Sequence, residues 1–353
     1  MSQAQEFEKV LDKSDTSVAS FDEHAGGLRR MQHFLHGSPA AVPLIVLIGL
    51  ILFFGIAIGG KFFSAFTLTL ILQQVAVVGI LAAAQTLVIL TDGIDLSIGV
   101  IMVFSFVLMG NGVIAYGLPG PIALLLGFAI AGLCGVANGF LVSRVKLPPF
   151  IVTLGTWNII MAACLIYSAN ETLREADVTA ATSWLHFFGT SFKIGSAAIT
   201  LGVLLMIAIY FVLWYVLNYT AWGRHLYAVG DDPDAAQLSG IRVDRVLLST
   251  YGLAGIIAAI AAWVSIGRNG SISPSTVVTD YNLQAITAAV IGGISLFGGR
   301  GSILGTLFGA VIVGVMSMGL NMMNADPQWK VLLTGALIIG AVTVDQWIRK
   351  VSG

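Results

Sequence analysis

Long apolar runs separated by short polar breaks set the pattern of this chain. The runs fall at 41–59, 67–90, 97–116, 120–142, 149–168, 197–217, 247–266, 284–297, 303–320 and 331–347. A hydrocarbon core about 30 Å thick needs about 20 helical residues, and most of the runs approach that length. Those at 41–59 and 197–217 are apolar on every side, so they lack the polar face of a soluble helix. The pattern predicts an all-α, polytopic membrane bundle of about ten helices, and eight at the least. The run at 284–297 holds 14 residues. As a helix it reaches only about 20 Å, which predicts a broken or re-entrant element there.

Composition agrees: 57% of the residues are apolar and 10% are charged. A soluble protein with one core is excluded on that ground. Residues 1–40 differ, carrying Glu6, Glu8, Lys9, Asp12, Lys13, Asp15, Asp22, Glu23, Arg29 and Arg30 with little apolar periodicity. They read as a polar cytoplasmic tail, too long and too acidic for a signal peptide, ahead of a transmembrane domain over 41–353. With the N-terminus inside and ten spans, twelve Lys and Arg fall inside against five outside, which predicts both termini in the cytoplasm. Net charge is −1 with dispersed basic residues, so no nucleic-acid partner is expected. Cys134 and Cys164 lie in apolar runs without a CxxC pattern and read as inert thiols. Trp214, Tyr215, Tyr219 and Trp222, and later Trp329 and Trp347, mark the borders of spans as headgroup-level anchors. Gly55/Gly59, Gly135/Gly139 and Gly301/Gly305/Gly309 have the spacing of close helix-packing faces.

The inside connection from 218 to 246 is the longest on that face. In it Asp232 suits an N-cap, Pro233 the first helical position, and Gly240 a left-handed terminator. A helix of about two turns is expected over 233–239. A short capped helix between two spans is a natural lever for a soluble partner, or else a plain connector.

Asp92 and Asp95 lie at the inner junction of the second and third spans. A carboxylate at mid-bilayer is costly, about 2.5–3.5 kcal/mol on insertion scales, so a surface position is expected. Asp95 is expected to cap the third span by accepting N–H groups near Ser97 and Ile98, with a gate or sugar contact as the alternative. Polar residues inside spans are candidates for a path for a hydroxyl-rich cargo: Gln74 and Gln85 on one face of the second span, Asn111, Asn138, and Thr153, Thr156, Trp157 and Asn158 on the fifth. Interhelical hydrogen bonds account equally well for each residue taken singly.

The run Thr220, Trp222–Gly223–Arg224, Tyr227–Ala228–Val229–Gly230, Ala235–Ala236 and Leu238–Ser239–Gly240–Ile241 resembles the cytoplasmic coupling loop of the ribose, xylose, arabinose and fructose ABC permeases. Three further stretches resemble the same family: LTDGIDLSIG at 90–99, KLPPFIVTLGT at 146–156 and ITAAVIGGISLFGGRGSILGTLFGA at 286–310. Asp92 departs from it, since a small residue usually stands before the Gly-Ile-Asp. The wording SANETLR, TAWGRHLYAVGDDPDAA and DQWIRK is most similar to rhizobial-type fructose import permeases.

The resemblance implies a sugar importer of the bacterial inner membrane and assigns ATPase coupling to Gly223, Arg224, Gly230, Asp232, Ala235, Ala236, Leu238 and Gly240. It implies three partners: a second permease copy, a cytoplasmic ATP-binding subunit and a periplasmic sugar-binding protein. No phosphate-binding GxxxxGK[ST] occurs in the chain. No cofactor and no catalytic or metal site is therefore expected on it, with ATP used by the partner subunit. An ion-coupled secondary transporter is the alternative, and would want ion-coordinating residues at mid-membrane. The outer loop 169–196, with Glu171, Arg174, Glu175, Asp177 and Lys193, is the expected landing site for the binding protein.

Overall fold

A computed structural model describes residues 41–274 and 278–349. The 1–40 tail lies outside these residues, as do the side chain of Trp347 and Lys350. The ten apolar runs all become helices: α1 (Ala41–Ile58), α2 (Ala65–Leu90), α3 (Ile98–Ile114), α4 (Gly120–Ser143), α5 (Pro149–Ser168), α7 (Leu201–Tyr219), α10 (Val243–Asn269), α11 (Val278–Ile291), α12 (Ile303–Met322) and α13 (Pro327–Arg349). Seven of them, α1, α2, α4, α5, α7, α10 and α12, are long and apolar enough to cross a membrane. Shorter are α3, with 17 residues, and α11, with 14. The protein is a polytopic helical bundle of the membrane.

Local signals explain the helix ends. Pro149 begins α5 at a position where a missing N–H costs nothing. The Ser64 hydroxyl accepts from the Thr67 N–H at 3.2 Å to open α2. The core is built around α2, α10 and α12. From Val75 to Leu90 every residue of α2 is buried by its neighbours. The pair α4 and α10 meets closely because Gly135 and Gly255 leave no Cβ between the backbones; a Cβ on either would strike a carbonyl of the other helix. Gly309 does the same for α12 against α11, at the Ala288 carbonyl, and Gly305 for α12 against the Gly292 carbonyl just past the end of α11. Gly59, read as half of a packing face, is instead a turn residue at φ +75° with open space around it.

Three regions differ in kind from the sequence reading. The outer connection after α5 contains a short helix, α6 (Glu175–Ala181), and a hairpin of β1 (Ser191–Ile194) and β2 (Ala197–Thr200), with Ser191 paired to Thr200 and Ile194 to Ala197. The hairpin takes the first four residues of the expected sixth span, because Gly195 at φ +63° turns the chain back before the helix can begin. The short eighth element ends at Ile291 and leaves 292–302 as an irregular turn. On the inner face, 218–246 holds two helices instead of one: α8 (Ala221–Asp231) and α9 (Pro233–Leu238).

At the outer face the connection is pinned to α10. Leu173 and Ile272 exchange backbone hydrogen bonds at 2.9 and 3.0 Å, and the Trp263 indole donates to the Trp184 carbonyl at 2.9 Å. The Phe188 and Trp263 rings meet edge to face with centroids 4.5 Å apart.

Candidate functional site

Irregular backbone is tolerated at membrane depth only where protein buries it or where it lines a cavity. The turn 91–97 between α2 and α3 is such a segment. It begins at Thr91, whose hydroxyl donates to the Val88 carbonyl at 2.8 Å, and continues through Asp92 in the left-handed conformation at φ 61°. It then runs back among the helices. Thr153 of α5 donates to the Ile94 carbonyl at 2.9 Å. The Gln85 amide of α2, oriented so that donors meet acceptors, pairs with both the carbonyl and the N–H of Asp95 at 3.0 and 3.2 Å. Asn138 of α4 donates to the Ser97 hydroxyl at 2.8 Å. Asn282 of α11 donates to the Leu96 carbonyl and accepts from the Gly99 N–H.

Position along each helix gives the depth. Gln85 is five residues before the end of α2 and Asn138 five before the end of α4, each roughly 7 Å from the inner end. Asn282 is nine residues before the end of α11, roughly 13 Å along it. The turn therefore climbs back into the bundle and α3 begins inside it, which is why α3 is short.

This geometry corrects the expected surface position of Asp95. Its side chain is 1% exposed. It accepts from the Ser97 N–H at 2.7 Å and the Ser97 hydroxyl at 2.6 Å, so it binds the residue that precedes α3, and it does so inside the bundle, not at a surface. Asp92 is exposed, and partial burial pushes its carboxyl above the ordinary carboxylate range.

Of the candidates for a cargo path, Gln85, Asn138 and Thr153 are all fully buried and meet at this turn. The sequence grouped Gln85 with Gln74, yet Gln74 is half-buried elsewhere, its amide 3.4 Å from Gln284 of α11. Asn111 sits near the outer end of α3, half-buried and apart from the others. Thr156 and Trp157 are half-buried on α5, and Asn158 is exposed, its amide donating to the Leu154 carbonyl at 2.9 Å. Sequence reasoning missed Asn282, Gln284 and Tyr251. The first two lie in the short eighth element, where two amides within three residues of an apolar run were the available signal.

The short capped helix expected over 233–239 forms the second part of the candidate site. Asp232 accepts from the N–H groups of Asp234 and Ala235, both at 2.9 Å, and so caps α9. Gly240 at φ 85° ends it; its N–H donates to Gln237 at 3.0 Å, and the Ile241 N–H donates to Ala236 at 3.1 Å. Ala235 is exposed and Ala236 is buried inward. Leu238 is 90% exposed, a large apolar side chain standing clear at the end of a polar helix.

The preceding α8 is capped by Thr220, whose hydroxyl accepts from the Gly223 N–H at 3.2 Å. It buries Gly223, Leu226, Val229 and Gly230 and exposes Arg224. That i, i+3, i+4 pattern marks an amphipathic helix, which the sequence reading did not expect. Gly223 packs on the last carbonyls of α7, and Gly230 on the Leu90 carbonyl at the end of α2. The Tyr227 hydroxyl donates to the Gly301 carbonyl at 2.9 Å, and the Gly299 N–H to Leu90 at 3.0 Å.

A membrane bundle with a buried re-entrant turn and an outstanding capped helix on one face has the form of a permease. Residues 67–342 match the family described as the branched-chain amino acid transport system / permease component, and the chain belongs to that family. It is 61% identical over 350 residues to a fructose import permease protein of Rhizobium meliloti, covering 99% of this chain and 97% of that one. It is 36% identical to a ribose import permease protein of Bacillus subtilis, covering 78% of this chain and 83% of the other. A galactose/methyl galactoside import permease protein of Escherichia coli is 33% identical, with 86% and 92% covered. No solved structure matches the chain.

Proposed function

We propose that this chain is the membrane-spanning subunit of an ABC transporter that imports a monosaccharide, fructose in the first place, across the bacterial inner membrane. The observation that carries the cargo is the 61% identity, spread over 99% of the chain, to a fructose import permease protein. ATP is hydrolysed by a separate subunit, and a periplasmic binding protein delivers the sugar at the outer face. Ribose and xylose are the next cargoes to test.

The geometry supports one mechanism. On the inner face α9 presents Leu238 to solvent from a helix fixed at both ends by Asp232 and Gly240. An exposed leucine on a rigid mount suits insertion into an apolar cleft of a soluble partner. Closure of the ATPase would push α9, and α8 would carry the displacement to the end of α2.

A second copy of the chain completes the path. Asn158 stands nine residues into the 20-residue α5, near mid-span, and faces away from the bundle. An amide facing lipid at that depth is disfavoured, so a face shared with a second copy is the better place for it. Thr156 and Trp157 flank it, offering a hydroxyl and a flat indole to a sugar.

The test is uptake of radiolabelled fructose, ribose and xylose by cells lacking the gene, complemented with wild type or with residues 232–240 scrambled. Uptake of fructose should be lost in the deletion strain and in the scrambled strain, the scrambled protein staying in the membrane without co-purifying with the ATPase. Normal uptake with the scrambled protein would remove α9 as the coupling element.

A further inference from the structure

We propose that the buried turn 91–97 is the link through which displacement of α8 reaches the interior of the bundle, with Asp95 as the positioning residue that keeps it in register. The inference rests on the permease reading and adds to it a transmission element.

Two sets of contacts meet in this turn. On the inner face the junction is backbone on backbone: Gly230 of α8 lies against the Leu90 carbonyl, Gly299 donates to that same carbonyl at 3.0 Å, and Gly298 packs against Asp92. No side chain stands between these strands of chain to absorb a shift, so α8, the 292–302 turn and the end of α2 move together. Deeper in, the same turn is held by Thr153, Gln85, Asn138 and Asn282, which belong to four different helices. A displacement entering at Leu90 is thereby shared among α2, α4, α5 and α11.

Asp95 closes the relay. The Ser97 hydroxyl donates its proton to Asp95 and accepts from the Asn138 amide, which fixes the direction of both bonds. Among the described residues, two polar atoms beside this relay find no protein partner: Asn138 Oδ1 and the Tyr251 hydroxyl, the latter packed against Gly93. Buried polar atoms are nearly always paired in a single stable arrangement. Their unused capacity is what a second position of the turn would satisfy, and two positions of comparable energy are what a moving link requires.

The experiment compares sugar moved per ATP hydrolysed in proteoliposomes holding the chain, its ATPase and fructose-loaded binding protein. Asp95→Asn and Ser97→Ala should each lower uptake per ATP by about tenfold, an ordinary allosteric coupling, while hydrolysis and co-purification with the ATPase persist. If Asp95→Asn fails to insert, Ser97→Ala, which keeps the backbone donor to Asp95, carries the comparison. Tyr251→Phe should lower the same ratio without lowering thermal stability. An active wild type with an unchanged ratio in the variants, or variants whose loss is one of stability alone, would overturn the link and leave the permease reading standing. A wild type that hydrolyses ATP and moves no sugar would bring down both.

Discussion

A methyl group on Gly230 would fall on the Leu90 carbonyl oxygen, and one on Gly135 would fall on that of Tyr251. Neither collision can be relieved by turning a flexible side chain, since the atoms met are backbone. Substituting Gly135 by Leu should destabilise the α4–α10 contact by about 1–3 kcal/mol, the usual cost of overpacking. The lowered unfolding midpoint of the solubilised protein checks this. Gly230→Val should act differently, leaving the bundle folded and detaching α8, so that proteolysis within 220–240 increases while the spans stay protected. At this scale the sequence was a partial guide. The Asp95 bond to the Ser97 N–H was legible, because an acidic residue shortly before an apolar run is a local signal. Its burial was not, because burial depends on Asn138, Thr153 and Asn282, which stand far along the chain.

Elements carry the coupling prediction. Removing the Asp232 cap by Asp232→Ala should cost α9 about 1 kcal/mol, enough to fray a helix of six residues. Leu238→Asp leaves both ends of α9 intact and replaces only the outstanding side chain. It should abolish retention of the ATPase on a permease affinity column while leaving membrane insertion unchanged. A double comparison of these two variants separates loss of the mount from loss of the knob. The ten helices at the apolar runs were legible, seven of them long and apolar enough to cross a membrane, and α9 was legible from its caps. The hairpin at 191–200 was missed because Ala197–Thr200 is as apolar as the helix it precedes. The α8 helix was missed because its apolar face was read as part of a polar loop.

For the whole molecule, the charges of the outer connection are the accessible handle. Glu171, Arg174, Glu175 and Asp177 are all exposed, on a segment pinned to α10 through Leu173 and Ile272. Reversal of Glu171 and Arg174 together should raise the sugar concentration needed for half-maximal uptake and leave the maximal rate with saturating binding protein nearly unchanged. Reconstituted uptake measured over a range of binding-protein concentrations checks this. Fold class follows from composition and the length of the apolar runs, which are properties summed over the chain. The meeting of four helices at one turn is a property of pairs, and no single stretch of sequence encodes it.

The turn at 91–97 also has a history during synthesis. Its last side-chain anchor, Asn282, emerges 185 residues after Ser97, which at about 5–20 residues per second is roughly 10–40 s of translation. Through that interval Asp95 and its neighbours are already made, and the amide that fastens Leu96 and Gly99 does not yet exist. A ribosome-bound chain halted before residue 282 should therefore present this stretch to a membrane chaperone or protease, and a finished chain should hide it, so that one buried turn reports whether the protein is complete.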